Sequence, residues 1–259
     1  MEEFEIMRGG ERIYGKIAFP HGEGLHPLVV FSHGFGASHV YDSGMEHPFV
    51  ENGFAFAAFD FCGGGPESQS SGTMKKMSVL TEADDLEAVI DWARKLKRID
   101  ASRVCLLGSS QGGYVSTYVA SCRPNDVAAL ALFFPAFCIE DDARARLEEL
   151  NGTVPDEVQV GPHVVGRRYG EDALSVNIFE RMREYPGDVL IVHGALDRIV
   201  PIEYSRKAAS TFPGHCTLEV FEELAHGFRT SPPELHERAL GLAIDFFRAH
   251  AFHDAGHTA

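Results

Sequence analysis

The chain has 259 residues, 44% hydrophobic and 24% charged, and carries a formal net charge of −15 at pH 7. This is the composition of a folded globular protein, and the length suits one large α/β core. The negative charge argues against nucleic acid and anionic membrane surfaces as partners.

No run of 18 or more apolar residues indicates a membrane span. The start, Met1-Glu2-Glu3-Phe4-Glu5, lacks the basic and apolar regions of a signal peptide, so a cytoplasmic protein is expected. The five cysteines (Cys62, Cys105, Cys122, Cys138, Cys216) are scattered, with no C-x-x-C pair, and read as reduced thiols mostly in apolar runs.

Residues 4–19 read as a β-hairpin turning at Arg8-Gly9-Gly10. Pro27–Phe31 is a continuous apolar run of the kind buried on both faces of a sheet, and it ends in Ser32-His33-Gly34-Phe35-Gly36-Ala37. Such a loop can leave a backbone N–H unpaired and aimed into a cleft. A short helix at 44–53 precedes a second buried strand at 54–61. The glycines of Gly63-Gly64-Gly65-Pro66 fit neither phosphate-loop spacing and have no basic residue nearby, so nucleotide binding is not expected.

Thr81-Glu82-Ala83-Asp84 reads as a capping box opening a helix with Leu86, Val89, Ile90, Ala93 and Leu96 on one face. Glu82, Asp84, Asp85 and Glu87 then read as first-turn acids favoured by the helix dipole rather than as metal ligands. Next, four apolar residues, Val104–Leu107, run into Gly108-Ser109-Ser110-Gln111-Gly112 and at once into a small-residue helix. This is G-x-S-x-G in the setting its chemistry needs: a strand, a tight turn that lifts the serine, and a helix N-terminus whose N–H groups can stabilise an oxyanion.

A buried strand at 127–134 follows, and then the alternation breaks. Residues 136–186 are longer than a crossover requires, which predicts a cap or lid. Asp188–Gly194 is the next strand, with Asp197 just past its end. A helix at 203–211, a strand at 217–221, the loop Glu222–Phe228 and a last helix at 233–249 complete the pattern, the helix with Leu235, Leu242, Ala243 and Phe246 facing inward. Strand–helix alternation without a repeat predicts a doubly wound, mostly parallel sheet.

Ser110, Asp197 and His226 therefore stand beyond the carboxyl ends of three strands, where ligands bind on such sheets. A serine hydroxyl is a poor nucleophile at neutral pH. An imidazole must take its proton, and a carboxylate must orient that imidazole. Asp197 is the expected acid. Asp188 lies at the wrong edge, and Glu222 and Glu223 remain rivals. His193 reads as a loop support. His250, His253 and His257 read as a solvated tail without partners at metal-ligand spacing, so no metal site is expected.

Taken together, Ser32–Gly36, Asp60-Phe61 with its glycines, Gly108–Gly113, His193–Asp197 with Pro201, and Ala225–Phe228 resemble the α/β-hydrolases over essentially the whole chain. Within them, the chain is most similar to the small bacterial cinnamoyl (feruloyl) esterases. It departs from many relatives in having Gly63-Gly64-Gly65-Pro66-Glu67-Ser68 in place of G-H-G-x-S. The resemblance implies one domain over 1–259 with a cap at 136–186, and a serine carboxylesterase acting on small, hydroxycinnamate-type esters without metal or organic cofactor. Ser110 would be the nucleophile, His226 the base and then acid, Asp197 its orienter, and the N–H groups of Phe35 and Gln111 the oxyanion donors. The cap would select the acyl group, with Tyr169, Asp141 and Asp142 as candidates to meet a phenolic hydroxyl. A monoacylglycerol lipase-like or peptidase-like hydrolase and a non-catalytic ligand receptor are the alternatives. The expected partner is a small-molecule ester, and a homodimer is left open.

Overall fold

The computed structural model describes residues 1–40 and 44–252. Among them an eight-stranded sheet has the order β1 (Glu2–Arg8), β2 (Glu11–Ala18), β4 (Ala55–Phe59), β3 (His26–Ser32), β5 (Ile99–Ser109), β6 (Ala129–Phe133), β9 (Val189–Gly194), β10 (Cys216–Phe221). The first two pairings are antiparallel and the rest parallel. The doubly wound, mostly parallel sheet expected from the alternation is the sheet observed.

Its two faces follow from a period of two along each strand. Leu28, Val30, Val104, Leu106, Leu130, Leu132, Val189 and Ile191 join one core; Val29, Phe31, Cys105, Leu107, Ala131, Phe133, Leu190 and Val192 join the other. The first core is covered by α2 (Val79–Ala93), α3 (Gln111–Cys122), α6 (Ile178–Met182) and α7 (Ile202–Ala209), the second by α1 (Glu46–Glu51) and α8 (Pro233–Ala251). Each fully buried Leu, Ile, Val or Phe contributes about 1.5–3 kcal/mol of transfer free energy, so strands apolar on both faces can sit only between two helical layers.

Three local expectations change. Helix α2 starts earlier than the capping box at Thr81 implied. Ser78 is the N-cap, accepting the Thr81 N–H, while Thr81 Oγ1 accepts the Ser78 N–H. Glu82 and Asp85, one turn before Leu86 and Val89 on the same helix face, are both buried, whereas acids favoured only by the helix dipole would face solvent. Asp85 pairs with Arg8 at 2.5 Å and accepts the Cys62 N–H. On α8 the buried stripe is Ala239, Leu240, Ala243, Ile244, Phe247 and Ala251, so of the four expected residues Ala243 is the one fully buried, and Leu235, Leu242 and Phe246 are only partly buried. His250 is no loose tail residue: it lies in α8 with its ring nitrogens 2.6 Å from Phe246 O and 2.8 Å from Asp188 Oδ2. His253 and His257 lie outside the described residues. All five cysteines are free, with Cys122 exposed.

Residues 136–186 contain α4 (Ile139–Glu149), a hairpin of β7 (Glu157–Val160) and β8 (His163–Gly166), α5 (Arg167–Ser175), and α6. Helix α6 packs on α3 within the main layer. Ile139, Ala143, Ala173 and Val176 also enter the first core, so this stretch is rooted in the domain rather than perched on it. No described helix is long and apolar enough to cross a membrane.

Candidate active site

β5 ends at Ser109 and α3 begins at Gln111, so Ser110 alone makes the turn, with φ 52° and ψ −119°. A non-glycine residue held there stores strain on the order of 1–3 kcal/mol and persists only where its surroundings over-determine it. Here the Ser110 N–H donates to Phe133 O at 2.9 Å, and its carbonyl accepts the N–H groups of Gly113 (3.0 Å) and Ala136 (2.9 Å). The flanking glycines are required by contact. A Cβ on Gly108 would stand 2.5 Å from Gly112 O, and one on Gly112 would stand 2.1 Å from Ser32 O.

His226, five residues past β10, brings Nε2 to 3.0 Å from Ser110 Oγ and Nδ1 to 2.7 Å from Asp197 Oδ2. Asp197 is fully buried at its side chain. Burial alone would raise its pKa, but hydrogen bonds from His193, His226 and the Val200 N–H outweigh that and hold the carboxyl far below its usual range. A carboxylate on Nδ1 leaves the proton on that nitrogen, so Nε2 presents its lone pair to the serine hydroxyl. The other carboxylate oxygen accepts the N–H groups of Ile199 and Val200, each at 2.9 Å.

His193, expected as a loop support, is buried beneath this acid. Its Nε2 faces both Val200 O (3.0 Å) and Asp197 Oδ2 (3.2 Å), two acceptors, and its Nδ1 lies 2.7 Å from Ser205 Oγ. The proton therefore sits on Nε2, and the Ser205 hydroxyl donates to Nδ1.

The loop after β3 runs beside the serine: a Cβ on Gly34 would lie 3.2 Å from that of Ser110. The N–H groups of Phe35 and Gln111 have no acceptor among the described residues. Their neighbours are accounted for. Gly36 N–H donates to Gly64 O at 2.9 Å and Ala37 N–H to Gly34 O at 3.2 Å. The glycine run that departs from G-H-G-x-S thus props the Phe35 loop from below. His33 ties the same loop to the end of β4: its Nδ1–H donates to Gly34 O at 2.8 Å and its Nε2 accepts the Phe61 N–H at 3.1 Å. Burial lowers the His33 pKa and keeps the ring neutral in that role.

The cleft over Ser110 has a volume of about 130 Å³. Its walls are the 34–37 loop, Ser109, Phe134, His226, Gly227 and Phe228. The Phe134 ring packs edge-on against His226 at 5.0 Å and against Phe228 at 5.3 Å. The resemblance implied a cap that selects the acyl group, but none of the described residues lining this cleft comes from 136–186. The stretch docks instead behind Phe35, whose ring meets His163 and Tyr169, each at a centroid distance of 5.7 Å.

The three cap residues expected to meet a substrate are placed elsewhere. Tyr169 is buried, and its hydroxyl donates to Gln111 Oε1 at 2.7 Å. Asp141 accepts the Tyr204 hydroxyl at 2.8 Å, and Asp142 is exposed beside it in the first turn of α4. Glu222 and Glu223 are exposed, and neither bonds to His226. Phe134, with φ 39°, Phe228, His33 and Glu82 were not singled out from the sequence as site residues. His33 and Phe228 carried a signal, as members of the loops 32–36 and 225–228 that bear the resemblance, and Glu82 lay on the apolar face of α2; Phe134 carried none.

Among the described residues no group of three or more His, Cys, Asp or Glu side chains could hold a metal ion. The model of the family described as serine aminopeptidase, S33, matches residues 25–169, a stretch that includes Ser110 and ends before Asp197 and His226. An uncharacterized 31.7 kDa protein from the traX-finO intergenic region of Escherichia coli is 36% identical over 108 residues, 41% of this chain and 36% of that one. The aligned part thus spans about a third of the length of that curated relative.

Among solved structures, Est1E from Butyrivibrio proteoclasticus with bound ferulic acid superposes with a TM-score of 0.83 at 24% identity, covering 93% of this chain and 98% of that one. A monoacylglycerol lipase from Paleococcus ferrophilus gives 0.71 at 19%, covering 92% and 99%. At these identities the likeness is one of fold. With the sheet order, the strained turn at Ser110 and the family match over more than half its length, the chain belongs to the serine aminopeptidase S33 family of α/β-hydrolases.

Proposed function

We propose that this hydrolase is a serine carboxylesterase that cleaves small esters through an acyl-enzyme on Ser110, with a compact aromatic, hydroxycinnamate-type acyl group as the preferred substrate. The observation that carries the reading is the unbroken chain Ser110 Oγ, His226, Asp197, beside two backbone N–H groups without acceptors. Ser110 gives its proton to His226 Nε2 as it attacks the carbonyl carbon. Charge developing on the carbonyl oxygen meets the N–H groups of Phe35 and Gln111, and losing one such donor typically costs about 3–4 kcal/mol. The imidazolium, held by Asp197, then protonates the departing alcohol. Water repeats the sequence on the acyl-enzyme and releases the acid.

Support for an aromatic acyl group comes from the three phenylalanine rings around a small cleft. A flat, rigid group loses little entropy there. The ferulic acid bound to Est1E is a property of that protein and lends the same direction. The family's description raises aminopeptidase activity as a second reading. An aminopeptidase needs an anion to hold the substrate's free amino group, and none of the described residues lining the cleft is acidic.

The test is labelling with a fluorophosphonate, followed by turnover of methyl ferulate, p-nitrophenyl acetate and an aminoacyl amide. The adduct is expected on Ser110 and absent in Ser110→Ala, with both esters turned over far faster than the amide. An adduct on Ser109, or preference for the amide, would overturn the reading.

A further inference from the structure

The residue after Ser110 is held at both ends. Gln111 is 2% exposed, so its side-chain amide has no recourse to water. Its Oε1 accepts the Tyr169 hydroxyl and its Nε2 donates to Glu82 Oε2, each at 2.7 Å. Glu82 comes from α2 and Tyr169 from α5, 29 residues before Gln111 and 58 after it. A long side chain in the first turn of a helix ordinarily samples several rotamers, and the peptide to which it is attached rocks with it. Here both ends of the side-chain amide are hydrogen-bonded, in addition to the Gly113 and Ala136 N–H groups on the Ser110 carbonyl of the same peptide.

Tyr169 does a second thing. Its ring packs on that of Phe35, the residue that carries the other N–H without an acceptor. One side chain of the 136–186 stretch therefore touches both residues whose backbone N–H groups lack an acceptor among the described residues. The helix that carries it is tied to α2 through Asp172, which accepts from the hydroxyl of Ser78, the N-cap of α2, and is paired within α5 with Arg168 at 3.1 Å.

We infer that Tyr169 and Glu82 are positioning residues for the oxyanion donors, clamping Gln111 from opposite sides and making the docking of α5 a condition of full turnover. The inference rests on the serine-hydrolase reading above and assigns the cap a task other than substrate contact. Charge supports it. Burial pushes the Glu82 carboxyl up to about 8, with Asp85 adding to the rise and the Gln111 amide opposing it. Burial also pushes the Tyr169 phenol up, with Glu82, Cys138 and Asp142 adding to it and Arg146 opposing it. Both groups keep their protons at neutral pH, so the clamp places no net charge behind a developing oxyanion.

The experiment measures kcat and KM of Tyr169→Phe, Glu82→Gln and Glu82→Ala on p-nitrophenyl acetate, with fluorophosphonate labelling in parallel. Tyr169→Phe is expected to lower kcat about tenfold with KM within about twofold, a loss confined to the transition state. Glu82→Ala is expected to do the same, and Glu82→Gln, which still offers an oxygen to Gln111 Nε2, to recover most of the loss. Should Glu82→Ala fail to fold, the other two variants carry the test, because each keeps the buried volume. Wild-type kcat in Tyr169→Phe, a Glu82→Gln variant no better than Glu82→Ala, or losses that appear in KM would overturn the clamp. If the wild type is not labelled at Ser110, the serine-hydrolase reading fails and the clamp falls with it; labelling at Ser110 beside a silent Tyr169→Phe sinks the clamp alone.

Discussion

Two buried carboxyl groups flank Ser110, and their surroundings drive them in opposite directions. On the side of β9 and β10, Asp197 receives two imidazoles and two backbone N–H groups. On the side of α2 and α5, Glu82 receives one neutral amide and has Asp85 nearby. Burial raises the pKa of both; the donors decide the outcome. Asp197 remains a carboxylate far below its usual range, whereas Glu82 keeps its proton to about pH 8. Only a group that stays ionised can stabilise an imidazolium, and only one that stays neutral can sit behind an oxyanion donor without opposing it.

The largest expected effect tests the acid side. Asp197→Asn should leave the melting curve cooperative yet cut kcat by three to four orders of magnitude, because an amide no longer fixes the proton on His226 Nδ1. Turnover near that of the wild type would return the role to Glu222 or Glu223 and dissolve the contrast.

Stability against pH sharpens the comparison next. Folding keeps the proton on Glu82 up to about pH 8, while the unfolded carboxyl releases it near its ordinary value of 4.5. The wild type should therefore lose stability, from this group, as pH rises between those values, by up to about 1.4 kcal/mol per pH unit. Urea unfolding of Glu82→Gln should show an advantage over the wild type that grows across that window and then levels. For Asp197 the sign is reversed. Its contribution is present above its ordinary value of 3.8 and is lost as pH falls through the lower folded value. Asp197→Asn should accordingly cost most stability above pH 4, and the cost should shrink as the solution is acidified. Parallel pH slopes for the two variants would contradict the assignment of opposite charge states.

A smaller effect is expected one shell behind the acid. His193→Asn removes one of the imidazoles on Asp197 and should lower kcat about tenfold while leaving fluorophosphonate labelling on Ser110. Smallest of all, Lys75→Ala breaks an exposed pair with Glu157 on the cap hairpin and should cost well under 1 kcal/mol with kcat unchanged. A marked kcat loss there would show that surface contacts, and not the buried Tyr169 hydroxyl, hold the cap in register.

Much of this molecule follows from patterns a few residues long. Strands apolar at every position demand helices on both faces, so the alternation determined the layering and the parallel sheet. Gly108 and Gly112 around Ser110 determined the turn, because nothing larger fits between β5 and the Ser32 carbonyl. The positions of Ser110, Asp197 and His226 past the ends of β5, β9 and β10 follow from the same periodicity. What the tertiary structure alone decided is which side chain meets which. One cap residue earlier or later on α5 and the Tyr169 hydroxyl would not reach Gln111. Glu82 lies one turn before Leu86 on the inner face of α2, but only the packing of α3 against α2 makes Gln111 its partner. The second histidine on Asp197 is the exception in being close in sequence, four residues away, yet its proton position is set by Val200 and Ser205. Periodicity fixes the face on which a side chain emerges. Hydrogen bonds reach about 3 Å, and contacts across 58 or 116 residues depend on how whole layers settle against one another.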